Sequence, residues 1–198
     1  MIKSNLHSHS RYDDGYEELE SYIESALEKG FGVYGFSAHA PVVFENNWNM
    51  KLGDLSEYLN TINDLKVKYK DRIEIHTGLE TDFYPNCVDW RNKTGIEYTI
   101  GAVHFLKNEQ TGSYMDLDGT KKEFELTLKE GFNNDIHALF RAYFAKIRKM
   151  LLKMPPNIIA HLDVIKKNNT GNLFFKETDS VYQDEIMKTL ELIYLTDT

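Results

Sequence analysis

Two histidines stand one residue apart near the start of the chain, in Asn5-Leu6-His7-Ser8-His9-Ser10. On an extended strand, residues i and i+2 point to the same face. His7 and His9 would then present two imidazoles side by side, a suitable grip for one metal ion. Further residues of the same chemistry follow. His39 lies in Ser37-Ala38-His39-Ala40-Pro41, Glu80 in Gly78-Leu79-Glu80-Thr81-Asp82, His104 in Gly101-Ala102-Val103-His104-Phe105 and His161 in Ala160-His161-Leu162-Asp163. Each stands at or near the end of an apolar run. A single histidine of this kind is ordinarily a packing or loop residue. Five runs that each deliver an imidazole or a carboxylate at their C-terminal end are not explained by packing. Neutral imidazole with carboxylate suits zinc, iron or manganese. More than four such donors imply more than one ion, and a carboxylate such as Glu80 can bridge two.

The elements that must position these groups alternate along the chain. Apolar runs at Ile2–His9, Val33–His39, Arg72–Phe83, Glu97–Phe105 and Asn157–Val164 read as strands. Between and after them, helical spacing predicts helices over Glu17–Lys29, Leu55–Tyr69, Lys121–Lys153 and Ser180–Leu195. Gly30 stops the first helix and Pro155-Pro156 the third. The pattern gives an α/β chain of about five βα units with a parallel sheet, spaced as in a barrel built of such repeats. In βα-barrels the C-terminal strand ends form the active-site rim, which is where the histidines fall.

Other reactive residues read as ordinary. His76 lies four residues before Glu80, about 13 Å deeper along the strand, and is assigned to the barrel interior. His137 falls in a helical stretch, packed or exposed. Cys87 is a plain thiol without a partner pattern. No Gly-x-Gly-x-x-Gly or P-loop segment and no nucleophilic-serine signature is present.

Composition narrows the function classes. The 198 residues are 41% hydrophobic, enough for one domain with a sizeable core. Lys and Arg total 23 against 31 Asp and Glu, a formal charge of −8, which disfavours nucleic acid as a partner. The single cysteine cannot form an internal disulfide, and neither an apolar signal segment nor a run of about 18 apolar residues occurs. A cytoplasmic protein without a membrane partner is the expectation.

As an ordered set, His7-Ser8-His9-Ser10, Ser-Ala-His39-Ala-Pro, Gly-Leu-Glu80-Thr-Asp-Phe, Val-His104-Phe and His161-Leu-Asp163 resemble the polymerase-and-histidinol-phosphatase (PHP) family, in its histidinol-phosphatase branch. The resemblance runs from residue 2 to about 165. It implies a distorted (β/α)7 TIM-like barrel, a single domain over residues 1–198, with two or three divalent ions (zinc, iron or manganese) at the rim. By carry-over, His7, His9 and Glu80 would take one ion. Glu80, His104 and His161 would take a second. His39 and a residue of the loop Arg11-Tyr12-Asp13-Asp14-Gly15 would take a third, with Asp14 chosen and Asp13 the fallback. The implied activity is hydrolysis of L-histidinol phosphate, a small phosphate ester, to L-histidinol and phosphate in histidine biosynthesis. Glu80 and Lys167 are the implied catalytic residues, Lys167 as a phosphate clamp.

The chain departs from the family after its fifth strand. The resemblance calls for two more strands ending in Asp-x-His, and no histidine follows residue 165. Five parallel strands do not close a barrel, so the outer strands would carry open edges. A fragment of an enzyme of about 240–280 residues is the expectation, with homo-oligomerisation as the other means of covering the edge. An inactive metal-binding fragment or another phosphoesterase of the family is the alternative function.

Overall fold

Strand formation begins and ends early in the histidine-bearing lead. The computed structural model describes residues 3–196, so Ile2, expected to open the first strand, lies outside them. β1 covers only Lys3–Asn5. Beyond it, side chains replace ladder partners. The Asn5 side-chain oxygen accepts from the His7 amide at 3.1 Å, and the Leu6 carbonyl accepts from the Tyr98 hydroxyl at 2.6 Å. His7 and His9 therefore sit past the strand, in a segment carried by Ser8. The Ser8 amide donates to Ser37 Oγ (3.1 Å), Ser8 Oγ donates to the Gly35 carbonyl (2.8 Å), and the Ser37 amide donates to the Ser8 carbonyl (2.9 Å). The expected pair on one strand face is replaced by two tilted rings, 5.2 Å apart with planes at 51°.

The following elements keep close to their sequence pattern. Helix α1 (Leu19–Glu28) buries Leu19, Ile23 and Ala26, and Gly30 ends it at φ 75°. Strand β2 (Phe31–His39) follows, then α2 (Leu55–Tyr69). The N-cap residue of α2, Asp54, makes no side-chain cap bond, a feature worth about 1 kcal/mol. Burial of Ile62 and Leu65, about 1.5–3 kcal/mol each, outweighs that loss. Strand β3 (Glu74–Asp82) pairs in parallel with β2, with His39 opposite Glu80. A helix-free connection through Asn86 (φ 64°) and Gly95 (φ 90°) leads to β4 (Tyr98–Ala102).

Two features escape the sequence pattern. An antiparallel hairpin, β5 (Phe105–Lys107) and β6 (Tyr114–Asp116), follows β4 directly. The long helix expected over Lys121–Lys153 is divided into α3 (Lys121–Leu126) and α4 (Ile136–Lys153). The break falls where Asn133 and Asn134 take positive φ (50° and 61°), and Asp135 restarts the helix by accepting from the Ala138 amide. A two-residue strand β7 (Ile158–Ile159) and helix α5 (Ser180–Thr196) complete the described chain.

The strand order is β1-β2-β3-β4-β7 in a five-stranded parallel sheet, the α/β class of an incomplete TIM-like barrel. Residue contacts divide the chain into two units. The first holds residues up to Thr81, 87–100 and 156–158, with a core that includes Ile23, Phe36, Tyr58, Ile62 and Leu79. The second holds 82–86, 101–155 and the residues from Ile159, with Phe124, Leu139, Phe140, Phe144 and Ile165 in its core. In the first unit, a Cβ on either Gly35 or Gly78 would strike the Tyr98 side chain. These two glycines let the ring lie close on β2 and β3, where its hydroxyl meets the Leu6 and Phe36 carbonyls. No helix among the described residues is long and apolar enough to cross a membrane.

Candidate metal centre

In the first unit the ends of β2 and β3 and the loop after β1 bring six donor side chains together. Register places His39 beside Glu80. Tyr58 of α2 fixes both strands just before these residues: its hydroxyl accepts from the Ala38 amide (3.3 Å) and donates to the Gly78 carbonyl (2.9 Å). Glu80 is 1% exposed, and three ring nitrogens converge on its Oε2. His7 Nε2 stands at 2.9 Å, His39 Nδ1 at 3.3 Å and His9 Nε2 at 3.4 Å. One carboxylate oxygen has two lone pairs, so three N–H donors would overfill it. Imidazole lone pairs and a carboxylate facing a common cation satisfy the same geometry, and the donor set fits a divalent ion.

The loop Ser10–Gly15 supplies the two acids. Asp13 has a side chain 0% exposed. Its Oδ1 accepts from the Ser10 amide (2.9 Å); its Oδ2 accepts from the His39 amide (2.9 Å) and meets His9 Nδ1 at 2.6 Å. Asp14 is half exposed, with Oδ1 3.5 Å from His9 Nδ1 and 3.8 Å from His39 Nε2. His9, Asp13, Asp14 and His39 form a group whose donor atoms lie within 4.8 Å of one another. Burial draws the His9 pKa down, but the hydrogen bond and charge of Asp13, with Glu80 and Asp14, leave it raised. Burial, with the neighbouring carboxylates, raises Asp14 despite His9.

Surface ion pairs of Arg11 with Glu18 and Glu57 also touch this loop, but exposed pairs contribute about 0–1 kcal/mol. The buried Asp13 bonds, the Tyr12 hydroxyl on Glu57 and Thr61, and the close seat of Gly15 decide its shape. A Cβ on Gly15 would run into the backbone of His9 and Ser10. Trp48, from the aromatic loop after β2, stands edge-on to the His39 ring at 4.5 Å.

In the second unit Asp82 stands with His104 and His161. His104 is fully buried, and Asp82 holds it twice: Oδ1 accepts from its amide (2.8 Å) and Oδ2 meets its Nδ1 (3.0 Å). His104 Nε2 then faces His161 Nε2 at 3.3 Å. Zinc-bound imidazole nitrogens lie about 2.0–2.1 Å from the ion in a tetrahedron, which sets two of them about 3.3–3.4 Å apart. His161 is exposed, and the segment after it is held by the Tyr143 hydroxyl on the Leu162 carbonyl (3.2 Å).

The remaining expected residues lie elsewhere. Lys167 is 55% exposed, its ammonium bonded to the Asp118 carbonyl (2.6 Å) and carboxylate (2.8 Å). His76, assigned to the barrel interior, is instead partly exposed and pairs with Glu74 at 3.0 Å, at the far end of β3 from Glu80. His137 meets Asp179 at 2.8 Å. Cys87 is a free thiol of intermediate burial. Asp13 as a brace, Asp82 and Trp48 were not singled out by spacing. Asp82 had a usable signal: it stands two residues after Glu80, on the same strand face.

Comparison with known proteins places these residues in a family context. The PHP domain model matches residues 5–194. A Deinococcus radiodurans protein named "Probable histidinol-phosphatase" is 30% identical over 152 residues, covering 74% of this chain and 54% of that protein. The histidinol-phosphatase of Bacillus subtilis is 28% identical over 190 residues, 87% of this chain and 66% of that protein. The chain thus spans between about half and two thirds of the length of these curated relatives. Among solved structures, a candidate histidinol phosphatase from Listeria monocytogenes superposes with a TM-score of 0.79 at 20% identity, covering 98% of this chain and 79% of that one. A Lactococcus lactis histidinol phosphate phosphatase, solved with zinc, L-histidinol and phosphate, gives 0.66 at 20% identity over 98% and 70%. At that identity the structural likeness concerns the fold.

Proposed function

The chain belongs to the PHP domain family, and on that footing we propose that it carries the metal-binding part of a histidinol-phosphatase-type phosphoric monoester hydrolase. The substrate is L-histidinol phosphate and the products are L-histidinol and phosphate. The observation that carries this reading is the convergence of His7, His9 and His39 on one oxygen of buried Glu80. The curated relatives named histidinol-phosphatase support the substrate.

His7, His9 and Glu80 are the proposed ligands of one divalent ion, and His39 with Asp14 those of another. His104 and His161 are the proposed ligands supplied by the second unit. Zinc, iron or manganese fits such donors. Bound ions of this kind set positive charge against a phosphate and make water a better nucleophile near neutral pH. The chain's own side chains do the arranging. Glu80 offers a carboxyl group screened from water, where its attraction to a cation would be least weakened by solvent. Asp82 holds the His104 ring at Nδ1 and leaves Nε2 facing His161. Lys167 is the proposed phosphate-facing cation. A dianionic phosphate within its reach would compete with Asp118 for the ammonium.

Phosphate release from the zinc-loaded protein, measured across a panel of phosphomonoesters, tests the assignment. Preference for L-histidinol phosphate is expected. Hydrolysis of other esters without that preference would leave a PHP phosphoesterase of different substrate. Metal bound without hydrolysis of any ester would sink the enzyme reading for this chain.

A further inference from the structure

We propose that Asp13 is a positioning residue of the metal centre: it holds His9 with the proton on Nδ1 and Nε2 turned toward Glu80, and ties His39 to the same carboxylate. The role rests on His9 being a metal ligand, as read above. The geometry that motivates it does not.

Three observations carry the inference. Both oxygens of Asp13 are already engaged, Oδ1 by the Ser10 amide and Oδ2 by the His39 amide and His9 Nδ1. The side chain has no exposed surface, so water cannot replace these partners. The His9 contact is short, 2.6 Å, as expected for a bond to an ionised acceptor. An ionised carboxylate only accepts, so the neutral ring must present N–H at Nδ1. That leaves the Nε2 lone pair facing Glu80, 3.4 Å away. A metal-binding histidine commonly donates its second nitrogen to a carboxylate in this way, and removal of that partner weakens metal binding about 10- to 100-fold. As a direct ligand, Asp13 would have to release bonds from buried amides, each costing about 1–3 kcal/mol. Asp14 beside it is half exposed.

The tautomer can be read without metal, substrate or any variant. Two-bond proton–nitrogen NMR spectra of the metal-free protein, taken alkaline enough that the ring is neutral, report which nitrogen of His9 is protonated. Nδ1–H is expected; Nε2–H would overturn the proposal. Loss of phosphatase activity in every assay would leave this result untouched, so the two readings fail separately. The second measurement compares zinc titrations of Asp13→Ala and Asp14→Ala. Asp13→Ala is expected to weaken zinc binding about 10- to 100-fold while reaching the wild-type stoichiometry at saturation. Asp14→Ala is expected to lose an ion outright. Unchanged affinity in Asp13→Ala would refute positioning, and lost stoichiometry would make Asp13 a ligand. Should Asp13→Ala fail to fold, Asp13→Asn, nearly equal in volume, takes its place with the same expectations.

Discussion

Asp13 and Asp82 both present two carboxylate oxygens to histidine-bearing backbone, yet they distribute their bonds differently. Asp82 spends both on one residue, the amide and the ring of His104. Asp13 divides its bonds among Ser10, His9 and His39. The first is a local clamp that fixes one fully buried imidazole. The second couples a loop to the end of a strand, so two candidate ligands depend on one side chain. The surroundings differ in the same sense. The first unit gathers three imidazoles and three acids, with His7 and His9 partly exposed and His39 buried, whereas in the second a buried His104 faces an exposed His161.

The strongest test of the first arrangement is Glu80→Ala. The variant removes the oxygen on which three rings converge. Metal content is expected to collapse, and the proposed phosphatase activity with it. The fall should exceed about 100-fold, the upper range for an outer-sphere partner. Elemental analysis of the purified variant decides, and wild-type metal content would refute Glu80 as the organising ligand.

The two clamps can be set against each other by Asp13→Ala and Asp82→Ala. Asp82→Ala leaves two donors of a fully buried residue without their acceptor, at about 1–3 kcal/mol each. Its main effect is expected on unfolding free energy, read from urea denaturation of the metal-free protein. Asp13→Ala is expected to lose more zinc affinity than Asp82→Ala, because it loosens two ligand-bearing segments. The reverse order in both measurements would break the distinction between local clamp and coupling.

These clamps also mark how far the sequence alone could be read. Strand-end histidines and Glu80 stood out in the sequence only as a set, because one such histidine is ordinarily a packing residue but five runs ending in an imidazole or a carboxylate are not explained by packing. The positions of α1, α2 and α5 were legible from their apolar spacing. Asp13 could be seen only as one of two adjacent acids, since its role depends on the His39 amide, 26 residues away in sequence. The end of β1 at Asn5 was hidden for a similar reason: the partner that replaces the ladder is the Tyr98 hydroxyl, 92 residues on. The break at Asn133-Asn134 had a local signal, because asparagine tolerates positive φ, but the strong apolar stripe of α4 masked it.

A smaller effect is expected from Gly15→Ala, which acts on the coupling side alone. The added methyl meets the His9–Ser10 backbone and must push the Asp13-Asp14 loop away. Overpacking of this kind costs about 1–3 kcal/mol. Zinc affinity should fall with the Asp13 geometry, and wild-type zinc affinity in this variant would refute the loop's part in holding the ligands.

The smallest expected effect is a difference in pH dependence between the two regions of the metal-free protein. In the second unit, Glu185 of α5 meets Arg148 of α4 at 2.7 Å and Lys188 at 3.0 Å. Burial alone would raise the Glu185 pKa, but the two cations reverse this and hold it below the ordinary 4.5. The folded state therefore binds this proton less readily than the unfolded state. Its stabilisation is complete above pH 4.5 and fades as pH falls through the lowered value. His9 runs the other way. Burial lowers its pKa, but the surrounding acids, Asp13 foremost, leave it above 6.5, so its contribution is complete below pH 6.5 and is lost as pH rises through the raised value. Asp14, raised above 3.8 chiefly by burial, subtracts stability as pH climbs past 3.8. Glu185→Gln is expected to flatten the acid limb of a stability profile, since the neutral amide cannot titrate. His9→Gln should flatten only the limb above neutrality. An acid limb unchanged in Glu185→Gln would mean that the α4–α5 clamp does not carry the acid sensitivity of the second unit.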